Sequence, residues 1–280
     1  MSLRCPVCST ISSVERRTSE VDLWRCPSCD HCFSNVDSIE SLEEYSPEYY
    51  EATHRNWFDN PNIALFETIC QFIIQNKPNA SLIDLGCGNG NFLKYLHKKN
   101  PSLSLTGIDI AQNRAAEGIT FLQGDALVAE FDSQYDVVVS LAVIEHVTDI
   151  QKFVNRLYSL CAPQGFVIIM TLNERSVLYG VARLLYNLGY KTPCERLYSK
   201  HHLNHFNASS LKKLVETNRL SVIKIFLHNV PLSAVDLTAS SHMAATILRA
   251  GIWSTFLLGS AIGRTYLQTI ICKKSTEEDL

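Results

Sequence analysis

Short apolar runs alternate with longer stretches of helical periodicity along the first two thirds of the chain. The runs have the length and composition of buried strands, and they occupy residues 81–85, 103–108, 119–122, 135–141 and 166–172. Apolar residues recur at helical spacing in residues 61–73, 91–99 and 149–161. We expect Asn60 and Pro61 to begin the first helix. This alternation predicts an α/β fold with a doubly wound sheet.

The alternation is interrupted after residue 172. Later helices are expected at residues 176–189, 208–219 and 242–263, and strands at 220–227 and 265–272. The helices at 176–189 and 242–263 are unusually apolar, and we expect both to lie over the mouth of a ligand site. Such a mouth would suit an apolar or membrane-associated substrate. Packing in the core or in a dimer interface is the competing explanation.

Composition narrows the class of protein. The chain has 280 residues, with 25 Lys and Arg against 28 Asp and Glu and a net charge of −3. This balance argues against a strongly basic nucleic-acid-binding protein. Hydrophobic residues make up 46%, enough for a sizeable core. Because we find no apolar signal segment and no apolar stretch long enough to span a bilayer, we expect a soluble, cytoplasmic protein.

Ten cysteines are present, and five of them lie in the first 32 residues. Two Cys-x2-Cys pairs, CPVC and CPSC, follow one another at a separation typical of zinc sites. The expected ligands of a structural Zn²⁺ ion are Cys5, Cys8, Cys26 and Cys29, in a zinc ribbon of residues 1–36. Cys32 or His31 could replace Cys29, and a redox pair or unreactive thiols are the alternatives to zinc. The other cysteines are expected to be small core residues: Cys70, Cys87, Cys161, Cys194 and Cys272.

Residues 37–60 are acidic and rich in aromatic side chains. We expect a linker or short helical arm, which Pro47 interrupts. The aromatic residues would either pack against the main domain or line a substrate mouth. They are Tyr45, Tyr49, Tyr50, Trp57 and Phe58.

A glycine turn joins the first main-domain strand to the next helix. Asp84 is followed by Gly86, Gly88 and Gly90, directly before the helix at 91–99. Such a turn permits positive φ and a close approach of the backbone to a ligand, and the helix N-terminus offers free N–H groups. A dinucleotide-binding pattern would need glycine at position 91, which is Asn, so a nicotinamide oxidoreductase is disfavoured.

Acidic residues follow the next two strands. Asp109 ends the second strand, where a carboxylate can accept hydrogen bonds from ribose hydroxyls. Asp125 follows the third strand, where a carboxylate can accept from the amine of adenine. Because the carboxyl ends of parallel strands meet at one edge, these motifs together predict a nucleoside-containing cofactor there.

Five segments in order carry a family resemblance: IDLGCGNGNF, GIDI, QGDA, YDVVVSLAVIEHV and PQGFVIIMTLN. They resemble the class I S-adenosylmethionine (SAM)-dependent methyltransferases over roughly residues 61–275. The resemblance implies a Rossmann-like, seven-stranded sheet in the order 3-2-1-4-5-7-6, with the last strand antiparallel. The methyltransferase domain would span residues 61–280, with helical insertions near 174–206 and 229–264. The ribbon and the segment YSPEYYE resemble methyltransferases of types 11 and 12 with an N-terminal zinc domain, many of which act on small molecules, saccharides or lipids.

The resemblance also implies the residues that hold SAM. Asp84 and the glycines would surround the methionine part, Asp109 the ribose, and Asp125 with Ala126 the adenine. The residues after the fourth strand would lie near the transferred methyl group. The expected set is Asp84, Gly86, Cys87, Gly88, Gly90, Asp109, Ile110, Asp125, Ala126, Ser140, Leu141 and Ala142.

Methyl transfer needs an aligned nucleophile and, for a hydroxyl or an amine, a general base. Glu145 and His146 follow the fourth strand, and His146 suits the base because histidine titrates near neutral pH. Related quinone O-methyltransferases carry the same Glu-His pair. His202 matches a substrate-side His-Leu segment of the family. For both histidines, an ordinary packing or hydrogen-bonding role is the alternative.

We therefore expect a SAM-dependent methyltransferase that O-methylates a small-molecule, saccharide or lipid-like acceptor. The alternatives are an RNA methyltransferase that binds nucleic acid through its ribbon, and a catalytically silent SAM-binding scaffold. The ribbon has as many acidic as basic residues between positions 4 and 30, which argues against nucleic acid. Peripheral membrane contact is compatible with the apolar insertions, and no oligomeric state is favoured.

Overall fold

The described part of the chain forms two sheets with helices around them. The structure is a computed structural model, and it describes residues 2–35, 55–111, 115–235 and 241–275. The strands are β1 (Leu3–Arg4), β2 (Ile11–Arg17), β3 (Asp22–Arg25), β4 (Cys32–Ser34), β5 (Ser81–Leu85), β6 (Ser104–Asp109), β7 (Ile119–Gln123), β8 (Tyr135–Leu141), β9 (Cys161–Leu172), β10 (Asn204–His205), β11 (Leu220–His228) and β12 (Leu267–Lys274). The helices are α1 (Arg55–Asp59), α2 (Ile63–Asn76), α3 (Asn91–Lys99), α4 (Ile150–Leu160), α5 (Val177–Asn187), α6 (Thr192–Leu197), α7 (Ala208–Thr217) and α8 (His242–Ala261).

The larger sheet has the strand order β11-β12-β9-β8-β5-β6-β7. Strands β5 to β9 pair in parallel, and β12 runs antiparallel to both of its neighbours. If the seven strands of this sheet are renumbered 1 to 7 in chain order, starting at β5, their spatial order is 3-2-1-4-5-7-6. The predicted seven-stranded, doubly wound sheet is therefore confirmed. The carboxyl ends of β5, β6 and β8 therefore meet at one edge, where ligands bind in such sheets.

Two element boundaries differ from the sequence expectation. The cap of α2 is Asn62, whose side chain accepts from Leu65 N and also donates to Asn229 O, so the helix begins after Asn60 and Pro61. The strand expected at residues 166–172 begins instead at Cys161. A register shift against β8 and a positive φ of 59° at Gln164 absorb the extra residues of β9.

The smaller sheet joins the ribbon to the main domain. Its order is β1-β2-β3-β4-β10, and all its pairs are antiparallel. Four of these strands come from the N-terminal residues, whereas β10 comes from the loop that precedes α7. A two-residue strand has no periodicity of its own, so the sequence gives no sign of this pairing.

The ribbon and the main domain also share an apolar core. Trp24 and Phe33 of the small sheet belong to the same buried cluster as Phe153, Phe206 and Leu211. Salt bridges reinforce the contact, since the buried carboxylate of Glu174 pairs with Arg25 at 2.6 Å. Large side chains of the ribbon and of the main domain are therefore buried in one core.

The first apolar insertion packs on the ribbon. Tyr179 of α5 and Cys194 of α6 share a buried cluster with Leu23 and Cys32. The second insertion contains α8, and most of the side chains of this helix are exposed or half-buried. Among the described residues of α8, only Phe256 and Gly259 are buried. None of the helices in the described ranges is both long and apolar enough to cross a membrane.

Candidate active site

The glycine turn between β5 and α3 has left-handed backbone at each of its three glycines. The φ angles are 73° at Gly86, 52° at Gly88 and 74° at Gly90. A β-carbon would also clash at each position, for example 2.5 Å from Val143 at Gly86. Glycine is therefore required here both by conformation and by space. The N–H groups of Gly86 and Cys87 donate to Ile108 O at the end of β6, which fixes the turn against the sheet.

Two acidic side chains flank the turn. Asp109 is buried, and its carboxylate accepts from Gly88 N at 2.8 Å and from Ala111 N at 2.9 Å. Burial raises the pKa of Asp109, and these backbone N–H groups oppose that rise. Asp84 is buried too, and its Oδ1 has no hydrogen-bond partner in the described structure. Burial, followed by the charge of Asp109, raises the pKa of Asp84 well above its ordinary value.

The residues after β8 close against the glycine turn. Ala142 has a φ of 59°, which is uncommon for a residue with a β-carbon, and its N–H donates to Met170 O. The next residue, Val143, is the one that contacts Gly86. Ser140 is fully buried and its hydroxyl has no partner in the described structure. Leu141 and Ala142 are half-buried at the same edge.

The remaining expected cofactor residues lie at the ends of β6 and β7 and in the turn. Asp125 is exposed, and its Oδ1 accepts from Leu127 N at 2.8 Å. Ala126 packs against the core, and its carbonyl accepts from Arg156 Nε at 3.0 Å. Ile110 is exposed directly after Asp109, whereas Cys87 is buried within the glycine turn.

Helix α1 contributes one of the two contacts that the sequence left open for the aromatic residues of the arm, packing against the main domain. The Phe58 ring lies over Gly88, 2.7 Å from where a β-carbon would be. Asn91, at the start of α3, donates to Phe58 O at 2.8 Å. Trp57 packs against the neighbouring core. Phe58 therefore packs at the glycine turn and Trp57 on the core beside it, while Tyr45, Tyr49 and Tyr50 lie outside the described residues.

Glu145 lies beneath the loop that follows β8. It is 2% exposed, and its Oε2 accepts from Thr171 Oγ1 at 2.8 Å. Burial raises its pKa to about 7. The hydrogen bond from Thr171 holds this carboxyl group beneath the loop.

His146 is half-buried beside a second histidine loop. Its Nδ1 lies 2.7 Å from His201 O, and because a carbonyl only accepts, the proton belongs on Nδ1. The neutral ring then has its lone pair on Nε2. The His202 ring is 4.9 Å from that of His146, and its Nδ1 lies 3.3 Å from Leu197 O. The structure thus brings His146 and His202 together.

The four expected zinc ligands also come together. The sulfur atoms of Cys5, Cys8, Cys26 and Cys29 all lie within 4.8 Å of one another. Individual Sγ–Sγ distances of 3.4–3.5 Å are near the ~3.8 Å expected between thiolates around one zinc ion. The thiolates of four cysteines at this spacing fit a closed, tetrahedral zinc site. Cys32 is outside the cluster, near Glu15.

The two cysteine pairs have matching backbone geometry. Ser9 N donates to Cys5 O, and Asp30 N donates to Cys26 O, with positive φ at both Ser9 and Asp30. Such equivalent turns present two sulfur atoms each toward a common point. The cluster therefore suits a structural ion with no open coordination position.

The edge residues fit SAM. Burial of the Asp84 oxygen without a hydrogen-bond donor costs free energy of folding. An ammonium group, such as that of the methionine part of SAM, would supply the missing donor. Each oxygen of Asp109 can accept from a ribose hydroxyl in addition to its backbone donor. The glycines keep the turn in its left-handed conformation. The start of α3 favours negative charge such as the SAM carboxylate.

Comparisons with known proteins identify the family to which this chain belongs. A family model described as a methyltransferase domain matches residues 49–225, and so begins within the arm expected at 37–60. The ubiquinone biosynthesis O-methyltransferase of Rickettsia prowazekii is 28% identical over 186 residues, which are 58% of this chain and 73% of that protein. The protein of the same name from Rickettsia bellii is 29% identical over 153 residues, which are 50% of this chain and 61% of its own.

Solved structures share the fold. The 1,6-didemethyltoxoflavin-N1-methyltransferase of Burkholderia thailandensis, determined with S-adenosylhomocysteine, has a TM-score of 0.52 at 12% identity, covering 90% of this chain and 99% of that one. A SAM-dependent methyltransferase from Archaeoglobus fulgidus has a TM-score of 0.51 at 20% identity, and the match covers 80% of this chain and 100% of that one. At these identities the likeness concerns the fold alone.

Proposed function

Because this chain belongs to the methyltransferase-domain family and is a SAM-dependent methyltransferase, we propose that it methylates a hydroxyl oxygen of a small, apolar acceptor. The observation that carries this proposal is the geometry of His146. Its ring is held by His201 O with the lone pair on Nε2, in a loop that contacts the glycine turn through Val143. A base is useful for a hydroxyl nucleophile, and the two relatives described above are both named O-methyltransferases.

When bound, SAM supplies an electrophilic methyl group on a sulfonium. In the proposed site, Asp84 binds the ammonium, Asp109 the ribose and Asp125 with Ala126 the adenine. The backbone around Gly86, Cys87, Gly88 and Gly90 follows the methionine part, and Ile110, Ser140, Leu141 and Ala142 complete the walls. Phe58 covers the turn and helps to exclude water, which favours transfer to the acceptor over hydrolysis.

The proposed base is His146, which takes the acceptor proton on Nε2 while its Nδ1–H stays bonded to His201 O. Glu145 supports this loop from below through Thr171 and need not touch the acceptor. His202, next to the His146 ring, is the proposed acceptor-side contact. Zinc has a structural role in this proposal, held by Cys5, Cys8, Cys26 and Cys29 in the ribbon of residues 1–36.

The proposed acceptor is apolar because the two insertions near 174–206 and 229–264 expose apolar side chains. The large exposed ones on α5 and α8 are Val181, Leu184, Met243, Ile247, Leu248, Trp253, Leu257 and Leu258. Burial of one such side chain contributes about 1.5–3 kcal/mol, so a cover by lipid or by an apolar acceptor is favourable. We propose that these helices meet a membrane surface from which a lipid-like acceptor is drawn.

The test is transfer of a labelled methyl group from SAM. The acceptors are a short hydroquinone, a decyl-substituted hydroquinone, a monosaccharide and total RNA. We expect O-methylation of the alkylated hydroquinone, lowered about 100-fold in kcat by His146→Gln, with unchanged affinity for S-adenosylhomocysteine. Methylation of RNA alone, or of an amine in place of a hydroxyl, would overturn the proposal.

A further inference from the structure

The loop that holds His146 is also the outermost strand of the ribbon sheet. In β10, Asn204 pairs with Phe33 and His205 with Cys32 of β4. One residue earlier, Leu203 O accepts from Ser34 N at 2.9 Å. Strand β4 begins three residues after Cys29, so the second cysteine pair and the histidine loop are connected by a short, hydrogen-bonded segment.

The same loop contacts the Glu145–His146 turn on its other side. Leu203 N donates to Glu145 O at 2.8 Å, and His201 O accepts from His146 Nδ1 at 2.7 Å. The peptide groups of residues 201–203 therefore lie between the ribbon and the proposed base. Movement of β4 would displace the carbonyl that fixes the His146 ring.

The side chain of Asn204 links the ribbon to the backbone next to His146. Its side chain is 4% exposed, and its Nδ2 donates to Val147 O at 2.7 Å. Its Oδ1 faces His31 Nε2 at 3.3 Å, so the fully buried His31 donates to it. One amide thus joins a ribbon histidine, two residues after Cys29, to the backbone directly after His146. A buried amide bonded on both sides has few alternative orientations.

We propose that the zinc ribbon positions His146, with Asn204 as the positioning residue that connects the ribbon to the base. This inference rests on the proposed function only in calling His146 the base. The geometric claim is that the Nδ1–H form of His146 depends on an ordered ribbon and on the Asn204 amide. The ribbon is then a working part of the acceptor site as well as a folding unit.

The test reads the His146 ring directly and needs no acceptor. In protein with ¹⁵N-labelled histidine, long-range ¹H–¹⁵N spectra distinguish the two neutral tautomers, and His146→Gln assigns the His146 signals. In the zinc-loaded protein we expect the proton on Nδ1. We expect a mixture of tautomers in Asn204→Leu, which has no donor for Val147 O, and in Asn204→Asp, whose ionised carboxylate only accepts. In the fraction that stays soluble after a chelator removes the zinc, checked by elemental analysis, we expect the same mixture.

Gln151→Met is the matched control. Gln151 also holds the ribbon, by donating to Pro6 O at 2.8 Å, but it lies on α4, and its side-chain carbonyl oxygen accepts from Asn218 Nδ2. We expect this variant to keep the Nδ1–H form. S-adenosylhomocysteine affinity by calorimetry should stay within twofold of wild type in every variant, which shows an intact glycine turn.

An unchanged His146 tautomer in both Asn204 variants and without zinc would overturn the proposal. So would an equal mixture in Gln151→Met, because the effect would then be general loosening of the ribbon. With a working acceptor, Asn204→Asp should lower kcat about tenfold and leave the KM for SAM unchanged. If no acceptor is methylated, the proposed function fails, while the tautomer result still stands or falls by itself.

Discussion

Asp109 supports the glycine turn and the proposed ribose site with one carboxylate. The oxygens of Asp109 accept from Gly88 N and Ala111 N. Asp109→Ala therefore releases the turn and at the same time removes the proposed cofactor contact. We expect SAM affinity to fall at least tenfold, since hydrogen bonds to a charged group contribute about 1.5–3 kcal/mol each. Calorimetry measures this. Asp132→Ala, at an exposed loop position, is the control, and wild-type-like affinity in Asp109→Ala would disprove the assigned site.

The free energy of unfolding should depend on pH through the carboxyl group of Glu145. Burial raises its pKa from an ordinary 4.5 to about 7, so the folded state holds this proton more tightly than the unfolded chain. Its contribution to the free energy of unfolding is complete below about pH 4.5 and is lost as the pH rises to about 7. Glu145→Gln cannot ionise, so relative to this variant the wild type should lose stability over that range, on the order of 2 kcal/mol.

Urea unfolding at several pH values measures this difference. Glu130→Gln, at an exposed position, provides the comparison, and its curve should run parallel to that of the wild type. If Glu145→Gln also runs parallel, the carboxyl group of Glu145 does not titrate in the expected range.

At the scale of elements, the ribbon should not unfold independently. Trp24 and Phe33 are buried with Phe206 and Leu211, so loss of zinc exposes apolar surface on both units. We expect Cys5→Ser and Cys26→Ser to lose zinc and solubility, and to lower the temperature of a single unfolding transition. Elemental analysis and calorimetry check this prediction.

Cys32→Ser is the matched control for the zinc ligands. Cys32 is as buried as the cluster sulfurs but lies outside it, so this variant should keep a full zinc content. A zinc-free Cys32→Ser protein, or full zinc in Cys5→Ser, would contradict the ligand set. Two separate thermal transitions in the wild type would contradict the shared core.

Sequence periodicity was sufficient for elements that carry their own pattern. Val137, Val138 and Val139 make β8 recognisable because a strand buried on both faces must be continuously apolar. β10 has two residues and is a strand only because β4 lies beside it. Likewise Asn62, rather than Asn60, caps α2 because Asn229 fixes its side chain from a distant part of the chain. Tertiary contacts of this kind leave no local signal.

The candidate active site also has some features that local sequence predicts and others that depend on tertiary contacts. The positions of Asp84, Asp109 and the glycines follow from strand ends and turn chemistry, which are local. Phe58 over Gly88, and Asn204 between His31 and Val147, depend on how separate segments pack. Spacing alone cannot indicate contacts between residues more than a hundred positions apart, such as His31 with Asn204.

At the scale of the whole molecule, the unusual surface is that of α8. A helix that is apolar all round is normally buried, yet Met243, Ile247 and Leu258 are each more than half exposed. The helix is about 30 Å long and has no acidic residue, with Arg249 as its only charge. Together with the exposed side chains of α5, this apolar surface favours a cover by lipid or by a second copy of the chain.

We expect the protein to float with vesicles of phosphatidylcholine and phosphatidylglycerol. The double variant Ile247→Asp, Leu258→Asp should reduce the bound fraction about tenfold or more, since each aspartate places a charge in the lipid interface. The matched control is Ile11→Asp with Val128→Asp, which adds the same charge at exposed apolar positions outside α5 and α8. Equal loss in both double variants would mean that net charge, not α8, governs binding. If the wild type fails to float but sediments as a dimer that only the α8 variant dissociates, a second copy of the chain, not a membrane, covers this helix.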